Sequence, residues 1–346
     1  MRSAVKVRFL DLRKVIPRKV IPQKVIVLGY RKVSCEEQVR MALILSALRQ
    51  NLLRMRSRPG VERVMTYLRA MRVPQWSKNL LVLVAPFAAG DAFHHAILSK
   101  ICFAFFAFSF AASFNYILND LRDVERDRTN PKKAKRPIAS GKLSPSSARV
   151  LAAVNLLAAV TFTLLLPWAF ALTLGIYIAL TLMYTFGLKH EPIVELLIVA
   201  FGFALRAIGG ATATRTPSSS WFLVVATFGP LVIVTAKRIA EKQSQSALSV
   251  RPVIAEYTTE FLRLVLTVAS GITLTAYSLW AFSLNSTHPF AEISVITVTF
   301  ALFRYIWVVE KCSGEVPEDV MFGDWYFLGA GAATALLLIL SVYAHN

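Results

Sequence analysis

Four acids and eight bases crowd into NDLRDVERDRTNPKKAKRPIASGKL, residues 119–143, between two long apolar runs. Asp120, Asp123 and Asp127 recur there at i, i+3 and i+7. On a helix that continues through them, these positions lie within about 60° of one another, so the three carboxylates share one face. Like charges that close repel, and the cluster is costly unless a cation occupies it. Hard oxygen donors suit Mg2+, which binds through one or two carboxylates and keeps substrate phosphate oxygens and water in its other positions. Mn2+ accepts the same kind of ligand. The bases that follow, Lys132, Lys133, Lys135 and Arg136, are suited to phosphate oxygens. Together the two patches would receive a magnesium diphosphate. The alternative is a solvated helix end in which Arg122, Arg126 and Arg128 neutralise the acids beside them.

A second acidic pair lies in YTFGLKHEPIVELL, residues 184–197. Pro192 suits the first turn of a helix, which places Glu191 at its mouth and Glu195 on the same face within that turn. A carboxylate there gains from the helix dipole; it can help to hold a second metal, orient a basic partner, or simply cap the helix. Eleven residues on, Arg206 stands inside the apolar run FGFALRAIGGA. A guanidinium inside such a run faces the protein interior and is a functional candidate by default, with a buried partner to an acid as its structural alternative. The small residues of AIGGATA beside it permit close helix contact. Lys78 in QWSKN and Lys237, Arg238 and Lys242 in TAKRIAEK close the set of candidate phosphate ligands; taken singly, each also reads as an interfacial anchor.

Stepping from one candidate to the next along the chain means crossing apolar runs of about twenty residues, each long enough to span a hydrocarbon core of roughly 30 Å. The chain is 55% hydrophobic over 346 residues, which excludes an ordinary water-soluble domain and predicts an all-α, polytopic membrane protein. About nine spans are expected, near 80–97, 101–118, 148–166, 169–187, 193–211, 221–237, 262–284, 289–308 and 325–343. They lack the alternation of barrel strands, and backbone groups in lipid must be satisfied within the segment, so they are helices. The first is interrupted by Pro86 and Gly90.

With the amino terminus in the cytoplasm, the external loops carry only Lys100 and Arg215 as bases, and the charged loops fall on the cytoplasmic side. Residues 1–60 hold fifteen Lys and Arg against three Asp and Glu. They read as a basic extension, poorly ordered or lying at the lipid surface through an amphipathic helix over 39–56, and residues 61–346 as the transmembrane domain. The extension lacks the pattern of a signal peptide. Cys35, Cys102 and Cys312 have no metal-type spacing and imply no disulfide framework.

NDLRDVERD followed by KRPIASG resembles the first aspartate-rich motif of the UbiA superfamily of intramembrane prenyltransferases. QWSKNLLVLVAP, YTFGLKHEPIVE, LRAIGGATA and AKRIAE, in that order, are similar to its phosphoribosyl-transferring branch, over roughly residues 68–345. The resemblance implies a nine-helix bundle in a bacterial plasma membrane, with cytoplasmic cap loops over a polar cavity that opens to lipid. It implies Mg-dependent transfer of 5-phosphoribose from phosphoribosyl pyrophosphate to decaprenyl or another polyprenyl phosphate, an early step towards cell-wall arabinan. Asp120, Asp123 and Asp127 would hold the metal and, with Asn119, organise the departing diphosphate. Glu195 matches the acid of the second motif, where many aromatic prenyltransferases carry aspartates, and joins the three aspartates as a catalytic candidate. Lys78, Arg136, Lys189, Arg206, Lys237 and Arg238 would meet phosphate. Membrane lipid and other copies of the chain are the expected partners, and nucleic acid is not one. Two alternatives stand beside this: a prenyl transfer from prenyl diphosphate to an aromatic or quinone precursor, and a non-catalytic transporter or lipid-binding protein.

Overall fold

The computed structural model describes residues 59–90, 92, 94–131, 133–243, 252–284, 288–311 and 323–343. From Arg63 onward the described residues belong to one compact unit. The helix expected over 39–56 and nearly all of the basic extension fall outside the described residues, as do Cys35, Cys312 and Lys132; Cys102 is a free, exposed thiol.

The described residues form helices and no strands. After α1 (Pro59–Ala70) comes a 3₁₀ helix, Val73–Leu83, that runs directly into the short α2 (Val84–Ala88). Among the described residues, eight helices are long and apolar enough to cross a membrane. They are α3 (His95–Arg122), α5 (Pro145–Thr163), α6 (Trp168–Phe186), α7 (Val194–Thr214), α8 (Ser220–Gln243), α10 (Thr259–Phe282), α11 (Phe290–Lys311) and α12 (Trp325–Tyr343). Two short helices, α4 (Val124–Thr129) and α9 (Pro252–Glu256), lie in the connections. Local sequence marks several starts. Ser144 accepts a hydrogen bond from the Ser147 amide with Pro145 at the first helical position of α5, and Thr258 accepts from the Phe261 amide ahead of α10.

The eight long helices coincide with eight of the nine expected spans. The ninth, near 80–97, takes another form: the chain enters through the 3₁₀ helix, continues for the five residues of α2, and turns at Gly90 with φ 81°. Side-chain hydrogen bonds explain this path. Trp76 Nε1 donates to Ser113 Oγ at 3.0 Å and Asn79 Nδ2 to Ser109 Oγ at 3.0 Å. Residues three apart face the same way in a 3₁₀ helix, and residues four apart do so in an α-helix, so the two pitches match donors to acceptors along α3.

Apolar clusters place α7 at the centre. One gathers α3, α6 and α7 around Phe108, Phe170 and Leu205; another gathers α7, α8 and α10 around Leu196, Val232 and Leu266. Large apolar side chains such as Leu157, Leu164 and Ile296 stay exposed on the outer helices, as a lipid-facing surface requires. Small residues let α7 occupy the middle. At Gly210 an added Cβ would press into the carbonyl of the fully buried Val82, on the 3₁₀ helix. A backbone atom cannot swing aside, so Gly210→Ala is expected to destabilise the protein by about 1–3 kcal/mol. The gain of roughly 1 kcal/mol in helix propensity is too small to cancel the overlap. A lowered melting temperature in detergent checks this, and an unchanged one means that the 3₁₀ helix can move off α7.

Ion pairs tie successive helix ends together on one side of the bundle. Asp123, just past α3, meets Lys189 between α6 and α7; Glu195 near the start of α7 meets Arg238 near the end of α8; Arg263 of α10 meets Glu310 of α11. Arg304 of α11 meets Asp324 just before α12. This is the side that carries the charged loops.

Candidate functional site

Below that ionic end lies a cavity of about 440 Å³, bounded by α3, α6, α7, α8 and the 3₁₀ helix. Among the described residues, nine lysine and arginine side chains line it against two carboxylates, Asp123 and Glu195, while Asp120, Asp127 and Glu241 pair with Arg72, Arg136 and Arg238 from behind the wall. Such an excess of positive charge in a confined, partly apolar space selects polyanions.

The acidic motif is built differently from a single helical face. α3 ends at Arg122, and Asp123 occupies the break before α4 with φ −93° and ψ 12°. The break turns Asp123 into the cavity, where Lys189 Nζ donates to both its oxygens at 2.6 and 2.7 Å. Asp120 and Asp127, both buried, point elsewhere. Arg136 Nη1 donates to Asp120 at 3.0 Å and to Asp127 at 2.6 Å; Arg72 adds a bond to Asp120, and Lys133 stands 3.9 Å from Asp127. The two buried aspartates thereby pin the loop after α4, and Arg136 with it, to the end of α3.

Glu195 is 1% exposed and is gripped by Arg238, whose Nε and Nη2 each donate to one carboxylate oxygen at 2.7 Å. Arg238 Nη1 donates to Glu241 at 2.7 Å. Just before α7, Ile193 holds φ 66°, a left-handed conformation that a β-branched residue adopts only under constraint. The constraint is Tyr257, whose hydroxyl accepts the Ile193 N–H at 2.7 Å. Pro192 accordingly precedes the helix instead of opening it, and Glu191 is left exposed. Burial pushes the Tyr257 phenol up to about 12, with the Glu195 charge adding to the effect. Since this folded value lies above the ordinary phenol value, the stability it contributes is present below about pH 10 and lost only as pH rises through about 12. Tyr257→Phe is expected to leave the Ile193 N–H without a partner, to lower stability by about 1–3 kcal/mol, and to speed amide exchange at 191–195. Unchanged exchange there would show that Tyr257 does not hold the turn. At the rim, partial burial and the neighbouring Lys189 ammonium keep His190 below its ordinary range.

Nine of the eleven sequence-predicted site residues line the cavity: Lys78, Asn119, Asp123, Arg136, Lys189, Glu195, Arg206, Lys237 and Arg238. Asp120 and Asp127 stand behind it. Arg72, Gln75, Tyr177 and Tyr184 also line it and were not singled out by sequence. Arg72 had one legible signal, a base just ahead of the QWSKN segment and outside any apolar run. Its positive φ of 54° and its stacking 4.6 Å over the Tyr116 ring could not be read there.

Among the described residues, no three His, Cys, Asp or Glu side chains are gathered to hold a metal ion. The motif donors that face the cavity are Asn119 and Asp123. Two oxygen donors beside a cationic pocket fit Mg2+ that takes its remaining ligands from a polyphosphate and water, with the other two aspartates engaged by arginine.

A profile of the UbiA prenyltransferase family matches residues 80–330. The chain belongs to the UbiA prenyltransferase family. It is a multi-pass membrane protein of that family, and every cavity-lining residue except Arg72, Gln75 and Lys78 lies in the matched segment. The decaprenyl-phosphate phosphoribosyltransferase of Corynebacterium glutamicum is 37% identical over 286 residues, covering 80% of this chain and 86% of that one. The protein of the same name from Mycobacterium tuberculosis is 37% identical over 275 residues, covering 78% and 91%. In fold, the chain matches a UbiA homolog from Archaeoglobus fulgidus, solved bound to DMAPP and Mg2+, with a TM-score of 0.61 over 81% of this chain and 98% of that one, at 16% identity.

Proposed function

We propose that this chain transfers 5-phosphoribose from phosphoribosyl pyrophosphate to decaprenyl phosphate, forming decaprenylphosphoryl 5-phosphoribose and releasing diphosphate. The observation that carries this reading is the charge of the cavity: among the described residues nine cations line it against two carboxylates, and cations remain in excess when Asp120, Asp127 and Glu241 behind the wall are included. A prenyl diphosphate with an aromatic acceptor such as 4-hydroxybenzoate brings one polyanion and a single carboxylate. Phosphoribosyl pyrophosphate and a lipid phosphate bring three phosphate-bearing groups, and each phosphomonoester adds about −1.5 to −2 at neutral pH. The relatives that match most of this chain bear the name of the second chemistry.

The cationic rim, with Lys189, Arg126, Lys133 and Arg136, would grip the diphosphate of the donor. Magnesium held by Asn119 and Asp123 would neutralise diphosphate oxygens and make the group a better leaving group. The acceptor phosphate is already anionic, so no side chain needs to remove a proton. One of its oxygens bonds to the anomeric carbon while the bond from that carbon to diphosphate breaks on the opposite face. Positive charge gathers on the ribose in between, and Asp123 is the carboxylate that would stabilise it. Glu195, spanned by Arg238, acts through that arginine and holds it at the cavity wall. The unit from residue 61 onward carries the activity, with its ionic end facing the cytoplasm of a bacterial plasma membrane.

The test is label transfer by the purified full chain with Mg2+ and decaprenyl phosphate, offering labelled phosphoribosyl pyrophosphate in one arm and labelled prenyl diphosphate with 4-hydroxybenzoate in the other. Label from the sugar donor entering the lipid phase, and lost on chelation by EDTA, is the expected result. Label appearing only on the aromatic acceptor would replace this reading with prenyl transfer. No transfer in either arm by folded protein would favour a non-catalytic member of the family.

A further inference from the structure

Two arginines of the cavity wall are buried, and they are held in opposite ways. Arg238 is neutralised by Glu195 and Glu241. Arg206, 6% exposed, has only neutral partners among the described residues. Its Nε donates to Asn79 Oδ1 at 2.7 Å, its Nη1 to the Gly202 carbonyl at 2.5 Å, and its Nη2 to the Tyr177 hydroxyl at 3.0 Å. Its guanidinium lies 4.8 Å from the centre of the Tyr177 ring and 5.4 Å from that of Phe203. The two carboxylates that line the cavity are already engaged, Asp123 by Lys189 and Glu195 by Arg238.

A guanidinium has five N–H donors, and the bonds above use three of them. Taking such a cation out of water without a counter-ion is expensive, inside a membrane most of all. The neutral bonds fix its plane and do not cancel its charge. Arg206 lies eleven residues past Glu195 on α7, about 16 Å further along the axis. The bond back to Gly202 directs the side chain towards the ionic end, so the charge sits at the inner part of the cavity. The Tyr177 hydroxyl, having accepted from Arg206, retains its own proton to donate.

We propose that Arg206, supported by Tyr177 and Asn79, is an inner anion subsite that binds a phosphate monoester, separate from the diphosphate grip at the rim. This rests on the phosphoribosyl-transfer reading, which supplies two such groups: the phosphate of the lipid acceptor and the 5-phosphate of the sugar donor. Guanidinium geometry suits both.

Equilibrium binding to the purified full chain in detergent tests the subsite and tells the two sources apart. The probes are farnesyl phosphate, ribose 5-phosphate and, as the uncharged control, farnesol. In Arg206→Gln, binding of the phosphate ester that occupies the subsite is expected to weaken roughly ten- to a hundredfold, with farnesol unaffected. Weakening of farnesyl phosphate alone assigns the subsite to the acceptor; weakening of ribose 5-phosphate alone assigns it to the donor. Arg206→Lys keeps the charge without the fork and is expected to weaken the same ester by a smaller factor. It serves as the test variant if the glutamine variant does not fold, as judged by its unliganded melting curve. Unaltered binding of both esters in a folded variant overturns the subsite, as does an equal loss of farnesol, which would mean a collapsed cavity. Failure of the phosphoribosyl reading shows in the wild type instead, as absent phosphoribose transfer and absent ribose 5-phosphate binding, while farnesyl phosphate would still depend on Arg206.

Discussion

Asp123→Asn should lower kcat by roughly 10²- to 10³-fold and leave the fold intact. Asp123 is the one aspartate of the motif that faces the cavity, and Lys189 Nζ lies within 2.7 Å of both its oxygens. The amide removes the negative charge on which three proposed tasks depend: an oxygen donor for the metal, a partner that aims Lys189 at the rim, and a carboxylate near the developing ribose cation. Stability should change by less than about 1 kcal/mol, because the side chain is 21% exposed and its pair is partly solvated. Two further readouts separate the tasks. The Mg2+ concentration for half-maximal activity should rise in Asp123→Asn, whereas Lys189→Met should raise KM for phosphoribosyl pyrophosphate with little change in that Mg2+ requirement. Near-normal turnover by a folded Asp123→Asn variant would remove Asp123 from the mechanism.

How such a residue is found from sequence, and how its neighbours are misplaced, follows from which forces are local. Apolar run length is local, so eight spans can be read directly. The segment near 80–97 takes its form from Ser109 and Ser113, hydroxyls about thirty residues further on, which no propensity encodes. The spacing of Asp120, Asp123 and Asp127 points to one helical face only if the helix continues, and the break at Asp123 sends one carboxylate into the cavity and two into the arginine cluster behind it. Charge partners are equally non-local. Arg72 and Asp120 are 48 residues apart, and Glu195 and Arg238 are 43 apart. Arg206 was legible because of its cost: a guanidinium within an apolar run demands a reason wherever it occurs. That its partners among the described residues are neutral depends on how the 3₁₀ helix and α6 pack against α7, which the run itself does not encode.

The Glu195–Arg238 pair gives the largest expected effect on stability. Both side chains are buried, at 1% and 4% exposure, and both carboxylate oxygens are engaged. Removing Glu195 leaves Arg238 with Glu241 alone, at 23% exposure, so Glu195→Ala should destabilise the protein by up to roughly 3–5 kcal/mol. Replacing both with apolar residues of similar size is often neutral or stabilising, because the desolvation of two ions disappears along with their attraction. Glu195→Leu combined with Arg238→Met should therefore recover most of the loss, tempered by Glu241, which forfeits its 2.7 Å bond to Arg238. The double variant also separates scaffold from chemistry. If Arg238 contacts substrate phosphate from the cavity wall, the refolded double variant remains at least about tenfold less active, with the deficit chiefly in KM for a phosphorylated substrate. Wild-type kinetics in a stable double variant would confine the pair to holding α7 against α8. Failure of the double variant to regain stability would mean that the salt bridge fixes the α7–α8 packing in a way that apolar contact cannot replace.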